Sequence, residues 1–190
     1  MTRPRPRDVL LDKAIGYYAA HGVGDTSLRT LAASIGTSQR MLHYHFGSRE
    51  DLLAAVIESV VTEQIATLDR LFAEVDDPFE AGRRNWEGAA TTAQAFGPLF
   101  FELASHAMRG RPYAVRLGEV VVTAHVAAFR RAYATVTDDA HAEVLARLTL
   151  AVGHGLLLQL LIDGDRPAAD AAVDELTQMV RARLEGVPRR

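Results

Sequence analysis

The chain has 190 residues, of which 48% are hydrophobic and 24% charged, the proportions of a globular protein that buries a core of its own rather than of a disordered one. It contains no cysteine, which removes disulfide frameworks, thiolate zinc sites, iron–sulfur clusters and cysteine nucleophiles together. The net charge of −3 hides an asymmetry: residues 1–50 hold seven basic side chains against four acidic ones, so a head of +3 precedes a body of −6, and nucleic acid suits the head and not the body.

Strand signals are nearly absent, and apolar residues recur at three- and four-residue spacing along the whole chain, which predicts an all-α fold of about nine helices. Pro4 and Pro6 exclude a helix before about Arg7, after which Leu11, Ala14, Ile15, Tyr18 and Ala19 supply an apolar face until Gly22. Thr26 or Ser27 caps a short second helix carrying Leu28, Leu31, Ala32 and Ile35 that ends at Gly36. Thr37 or Ser38 caps a third, with Met41, Leu42, His45 and Phe46 facing inward and Gly47 closing it. Helices this short are unstable alone, so the head is a compact three-helix unit.

Beyond the head the pattern predicts helices over 50–74, 79–95, 98–108, 112–135, 138–162 and 168–184, with breaks at Asp76 to Pro78, Gly97-Pro98, Gly110 to Pro112, Val136-Thr137 and Asp163 to Pro167. The domain division expected is 1–49 for the head and 50–190 for a larger helical domain. The longest near-apolar run, Leu148 to Ile162, has 15 residues, short of the roughly 20 that span a bilayer, and reads as a buried helix. No secretory leader is visible in the basic N-terminus, so a cytoplasmic location without membrane attachment is expected.

The stretch Leu28 to Phe46 has the spacing of a helix-turn-helix. Ala32 is small where the helices cross, Gly36 suits a turn of positive φ, and Ile35 and Leu42 fill the wedge. Ser38, Gln39, Arg40, His43 and Tyr44 then face outward as a surface able to read a DNA groove. Gln39 is a bidentate partner for adenine and Arg40 for guanine.

With Gly22, Thr26 to Ala33, Gly36 to Ser38, Leu42, Tyr44 to Phe46 and Ser48 to Leu53, this segment resembles the TetR-type (tetracycline-repressor-like) transcriptional regulators. Two positions depart from the family pattern: His43 stands where an aromatic is usual, and Arg49 where a lysine is usual. The resemblance implies phosphate contacts from Ser27, Thr37 or Ser38, Tyr44, His45 and Arg49, and base contacts from Arg29, Gln39 and Arg40, with His43 beside them. His45 equally suits a packing role. The basic tail from Arg3 to Arg7 is either an arm for the minor groove or a free end.

A single recognition helix contacts few base pairs, so such heads work as two-fold dimers reading half-sites about 34 Å apart. Two apolar stripes offer the joint: Leu145, Leu148, Val152, Leu156, Gln159 and Leu160 on one late helix, and Val173, Leu176 and Val180 on the next. The resemblance implies that these helices pair across the dimer axis as a four-helix bundle, a homodimer on a double-stranded operator.

Eight of the thirteen aromatics lie between Phe79 and Tyr133, which fits a pocket for a small apolar effector. Its candidate lining is Trp86, Phe100, Phe101, Glu102, His106, His125, Phe129 and His154. Glu102, His106, His125 and His154 lack a recognised metal-ligand spacing, and no catalytic, phosphate-binding or dinucleotide motif occurs, so neither a metal, a cofactor nor an enzyme is expected. The function expected is a repressor that leaves its operator when effector binds. A carrier or enzyme that kept a helix-turn-helix head, and a TetR-type activator, are the alternatives.

Overall fold

The computed structural model describes residues 5–24 and 26–185, with the backbone alone at 119 and 120. The Arg3 end of the basic tail, offered above as a minor-groove arm, lies outside the described residues. Among the described residues there are helices and no strand. They form two compact units, Met1–Glu63 with Ala95–Glu119 and Gln64–Gln94 with Val120–Arg190.

In the first unit, α1 (Pro6–His21) starts on a proline at its first turn, where a missing N–H costs nothing. It buries Leu11, Ala14 and Tyr18. The second helix, α2 (Leu28–Ser34), is capped by Ser27, whose hydroxyl accepts from the Thr30 N–H at 3.1 Å, and α3 (Gln39–Phe46) by Ser38, accepting from the Met41 N–H at 3.2 Å. Between them Gly36 takes φ +72°, open to glycine without strain, and the Thr37 N–H donates to the Ala32 carbonyl at 2.9 Å. Ala32, Ile35, Leu42 and Phe46 are buried as the spacing requires. Met41, expected inside, is 40% exposed, because Leu42 and Phe46 already fill the inward face of so short a helix.

Helix α4 (Arg49–Glu74) opens with a capping box: Ser48 Oγ accepts from the Asp51 N–H, and Asp51 Oδ2 accepts from the Ser48 N–H at 2.9 Å and its hydroxyl at 2.7 Å. Those bonds, the hydroxyl first, hold the Asp51 carboxyl below its ordinary range. The expected break at Gly97-Pro98 does not occur. Helix α5 (Pro78–Met108) runs through Pro98, with Ala93, Leu99 and Leu103 buried on either side of it, so packing carries the helix past the hydrogen bond that proline cannot make.

The opposite correction applies to 112–135, expected as one helix. A 3-10 turn, Pro112–Ala114, leads into α6 (Val115–Gly118), a π-helical segment, Glu119–Ala124, and α7 (His125–Tyr133). Gly118 followed by four β-branched residues, Val120 to Thr123, is a poor α-helical stretch.

The second unit holds α7, α8 (Asp139–Asp163) and α9 (Arg166–Glu185). One cluster joins Val126, Phe129, Tyr133, Ala142, Leu145, Ala146, Leu150 and Val180; a second joins Trp86, Ala90, Ala93, Leu156, Leu160 and Ala169. Asp138 caps α8 through the His141 N–H, and Gly164 ends it in the left-handed region.

Candidate nucleic-acid interface

The outward face of α3 carries the side chains expected to meet DNA. Ser38, Gln39, Arg40, His43 and Tyr44 are all exposed, Tyr44 by 79% although it is aromatic. Ser27 and Arg29 are exposed on α2, and Thr37 is half-buried in the turn.

Two residues in this set do other work. The His45 ring lies edge-on to Tyr44 and Phe46, with centroids 4.9 and 6.4 Å apart, and its Nε2 is buried with no hydrogen-bond partner. These ring contacts fit the packing role among the two that the sequence allows. Arg49, half-buried and expected at a phosphate, has its Nε and Nη2 engaged by backbone carbonyls. Its Nε donates to the Thr26 carbonyl at 2.8 Å, and its Nη2 donates to the carbonyls of Val23, at 2.7 Å, and Gly24.

The same turn is gripped from a second side by a residue read from sequence as a ligand contact. Glu102, on α5, accepts from the Val23 N–H through Oε2 and from the Gly24 N–H through Oε1, each at 2.8 Å. Gly22, at φ +75°, has the backbone conformation that favours glycine, and a Cβ there would stand 2.8 Å from Glu102 Oε2 and press that carboxylate aside. The connection between α1 and α2 is therefore clamped by a guanidinium on its carbonyls and a carboxylate on its amides. Sequence reading missed this hub, because the partners lie 78 and 79 residues apart. Two further ties fix the head: Lys13 Nζ donates to the Ile35 carbonyl at 3.2 Å, and the Arg7 guanidinium lies 4.9 Å from the Phe46 ring centroid.

In the first unit Phe100 and Phe101 pack edge to face at 5.1 Å, and His106 Nδ1 is hydrogen-bonded to the Tyr113 hydroxyl at 2.9 Å. In the second unit Phe129 belongs to one core cluster and Trp86 to the other. Aromatic enrichment marks buried volume before it marks a cavity. The Trp86 indole N–H donates to Asp170 Oδ1 at 2.7 Å, and Arg166 Nε donates to the same oxygen at 2.6 Å. His125 and His154 do come together, with ring centroids 6.4 Å apart. Burial, and then the neighbouring His125, push His154 down to about 4.

The stripe read from sequence as the dimer joint is covered in large part by its own chain. Leu145, Leu156, Leu160 and Val180 are buried within their own chain, and Val152, Val173 and Leu176 pack partly buried against the same clusters. Only Leu148 and Gln159 of that set face outward. Helix α8 has a second apolar face, however: Val144, Leu148, Ala151, Gly155, Leu158 and Ile162, alternately four and three residues apart, are all exposed, Val144 by 60% and Ile162 by 78%. So the run read as a buried helix is buried on one side only. By length and composition α8 would also pass as a membrane span, but its inner face is part of the unit's core.

Residues 10–56 match the family described as bacterial regulatory proteins, tetR family. Over those residues the chain is similar to the N-terminal domain of that family. Its fold is that of such regulators through the body as well. A TetR transcriptional regulator from Legionella pneumophila superposes with a TM-score of 0.77 at 19% identity, covering 92% of this chain and 98% of its own. A transcriptional regulator from Rhodococcus sp. Rha1 gives 0.78 at 20% identity, covering 97% and 100%. The multidrug binding protein EbrR, solved with imidazole, gives 0.63 at 25% identity, covering 92% and 96%. Among curated proteins no sequence match was found.

Proposed function

We propose that this tetR-family regulator is a cytoplasmic repressor that binds a palindromic operator as a homodimer and releases it when a small apolar effector occupies residues 50–190, residues 1–49 being the reading head. The observation that carries the DNA reading is the exposed, N-capped α3, with Gln39, Arg40, His43 and Tyr44 on the side away from the core. The outer face of α8 supports the dimer: its seven-residue periodicity is the pattern by which two helices pack against each other, and Gly155 leaves open space where a second backbone would approach. For the effector, the support is a relative whose description names multidrug binding, EbrR, and the half-buried imidazoles of His125 and His154 brought together in the second unit.

Selection of duplexes from a random pool, followed by a mobility shift, tests the reading. A two-fold symmetric site emerges. Affinity falls with salt with a log–log slope near −7, as expected for about eight neutralised phosphates. Gln39→Ala and Arg40→Ala relax the sequence preference by about 1–3 kcal/mol at their base pairs. A flat salt response, or no sequence-dependent shift, overturns the reading in favour of a carrier or enzyme with an inherited head. A reporter gene downstream of the selected site decides repressor against activator.

A further inference from the structure

Gln39 and His43 lie one turn apart on the exposed face of α3 and are joined by a chain of hydrogen bonds whose direction follows from chemistry alone. His43 Nδ1 stands 2.6 Å from the Gly47 carbonyl oxygen. A carbonyl only accepts, so Nδ1 carries the proton. In the neutral ring Nε2 is then an acceptor, and it faces Gln39 Nε2, which only donates, at 3.2 Å. Both bonds select the same tautomer. They also decide which way round the Gln39 amide stands, with one N–H given to His43 and Oε1 and the second N–H left over.

That remaining edge, an acceptor beside a donor, complements the N6 donor and N7 acceptor that adenine shows in the major groove. Guanine shows two acceptors, N7 and O6, and asks for two donors. One of the two is already held by His43. We propose that His43 is a positioning residue that determines specificity: by orienting the Gln39 amide it makes α3 select adenine over guanine at the base pair Gln39 faces. The bond also fixes a long side chain before binding, which removes part of the ordering cost at the interface. This inference rests on α3 being the helix that enters the major groove.

The test uses the full-length protein and the duplex it selects. Gln39→Ala identifies the base pair concerned as the one whose preference disappears. There the wild-type protein favours adenine over guanine by roughly 10-fold or more, the size of a bidentate contact. His43→Phe keeps a ring but has no nitrogen to bond Gln39, and it brings that ratio to within about threefold of unity. His43→Gln restores an acceptor one turn from Gln39 and recovers the preference. The double variant Gln39→Ala/His43→Phe discriminates no worse than Gln39→Ala alone.

His43 is exposed, so a thermal melt close to wild type is expected for each variant. If His43→Phe melts early, the comparison of His43→Gln with His43→Ala decides in its place. An adenine preference that survives in His43→Phe, or an equal loss of affinity for every duplex, overturns the inference and leaves His43 as a backbone contact or a bystander. Absence of any sequence preference in the wild-type protein removes the DNA-reading helix itself, and this inference with it, a result distinct from the first two.

Discussion

The reading head and helix α8 both leave a full helical face uncovered, and the two faces differ in kind. On α3 the exposed positions are polar and cationic apart from Met41 and Tyr44. On α8 they are Val144, Leu148, Leu158 and Ile162 around Ala151 and Gly155. A polar face is content in water and gains from a partner only where that partner offers charge and hydrogen-bond edges. An apolar face gains from any dry surface of matching shape, at about 25 cal/mol per Å² removed from water. The same fold thus presents one mainly polar and one apolar surface, and they call for partners of different chemistry.

The comparison breaks most visibly on α8, where adjacent leucines have opposite duties. Leu156 lies in the core cluster with Trp86 and Leu160, whereas Leu158 points outward. Leu156→Ala is expected to cost about 2–5 kcal/mol of stability through the cavity it leaves. Leu158→Asp is expected to leave the helical spectrum intact and to convert a dimer to a monomer in sedimentation equilibrium. If instead Leu156→Ala dissociates the protein without destabilising it, the stripe read from sequence is the interface after all.

That stripe shows where sequence reading ran out. The head was legible because each short helix has one inward face, bounded by a serine cap and a turn glycine; Ser27, Ser38, Gly36 and Leu42 take the places their spacing implies. Helix α8 is apolar on two faces, so periodicity finds two stripes and cannot tell which one its own chain covers. Pro98 illustrates the converse limit: a strong local breaker yields to packing that involves residues distant in sequence. Glu102 was invisible as a turn clamp for the same reason, since nothing near it in sequence signals Val23 and Gly24.

A smaller effect sharpens the contrast inside the first unit. Glu102→Ala leaves two backbone N–H groups without their carboxylate and is expected to cost about 2 kcal/mol, in the range of hydrogen bonds to charged groups. The hydrogen exchange of the Val23 and Gly24 amides should rise well above that of α2, and affinity for the selected duplex should fall with it. Gly22→Ala should behave alike, because its Cβ would stand 2.8 Å from Glu102 Oε2. A pocket role for Glu102 predicts unchanged exchange at both amides.

The smallest effect belongs to the histidine pair and concerns acid. His154 in the folded chain is held near 4, below the ordinary histidine value of 6.5, by burial first and by His125 second. Below 6.5 the unfolded chain takes up a proton that the folded chain refuses, so the stability present at neutral pH declines as pH falls toward 4 and this contribution levels off beneath it. Carboxylates held by hydrogen bonds, such as Asp51, are lost at lower pH still, which separates the two effects along the titration. His154→Leu removes the group and should flatten the upper part of the acid limb, by a few degrees in Tm between pH 6.5 and 4.5 for a chain of this size. An acid limb of the same slope in His154→Leu would mean that the ring is protonated as easily in the fold as out of it. That result would remove the premise that the pair sits in a dry setting where an apolar effector would meet it.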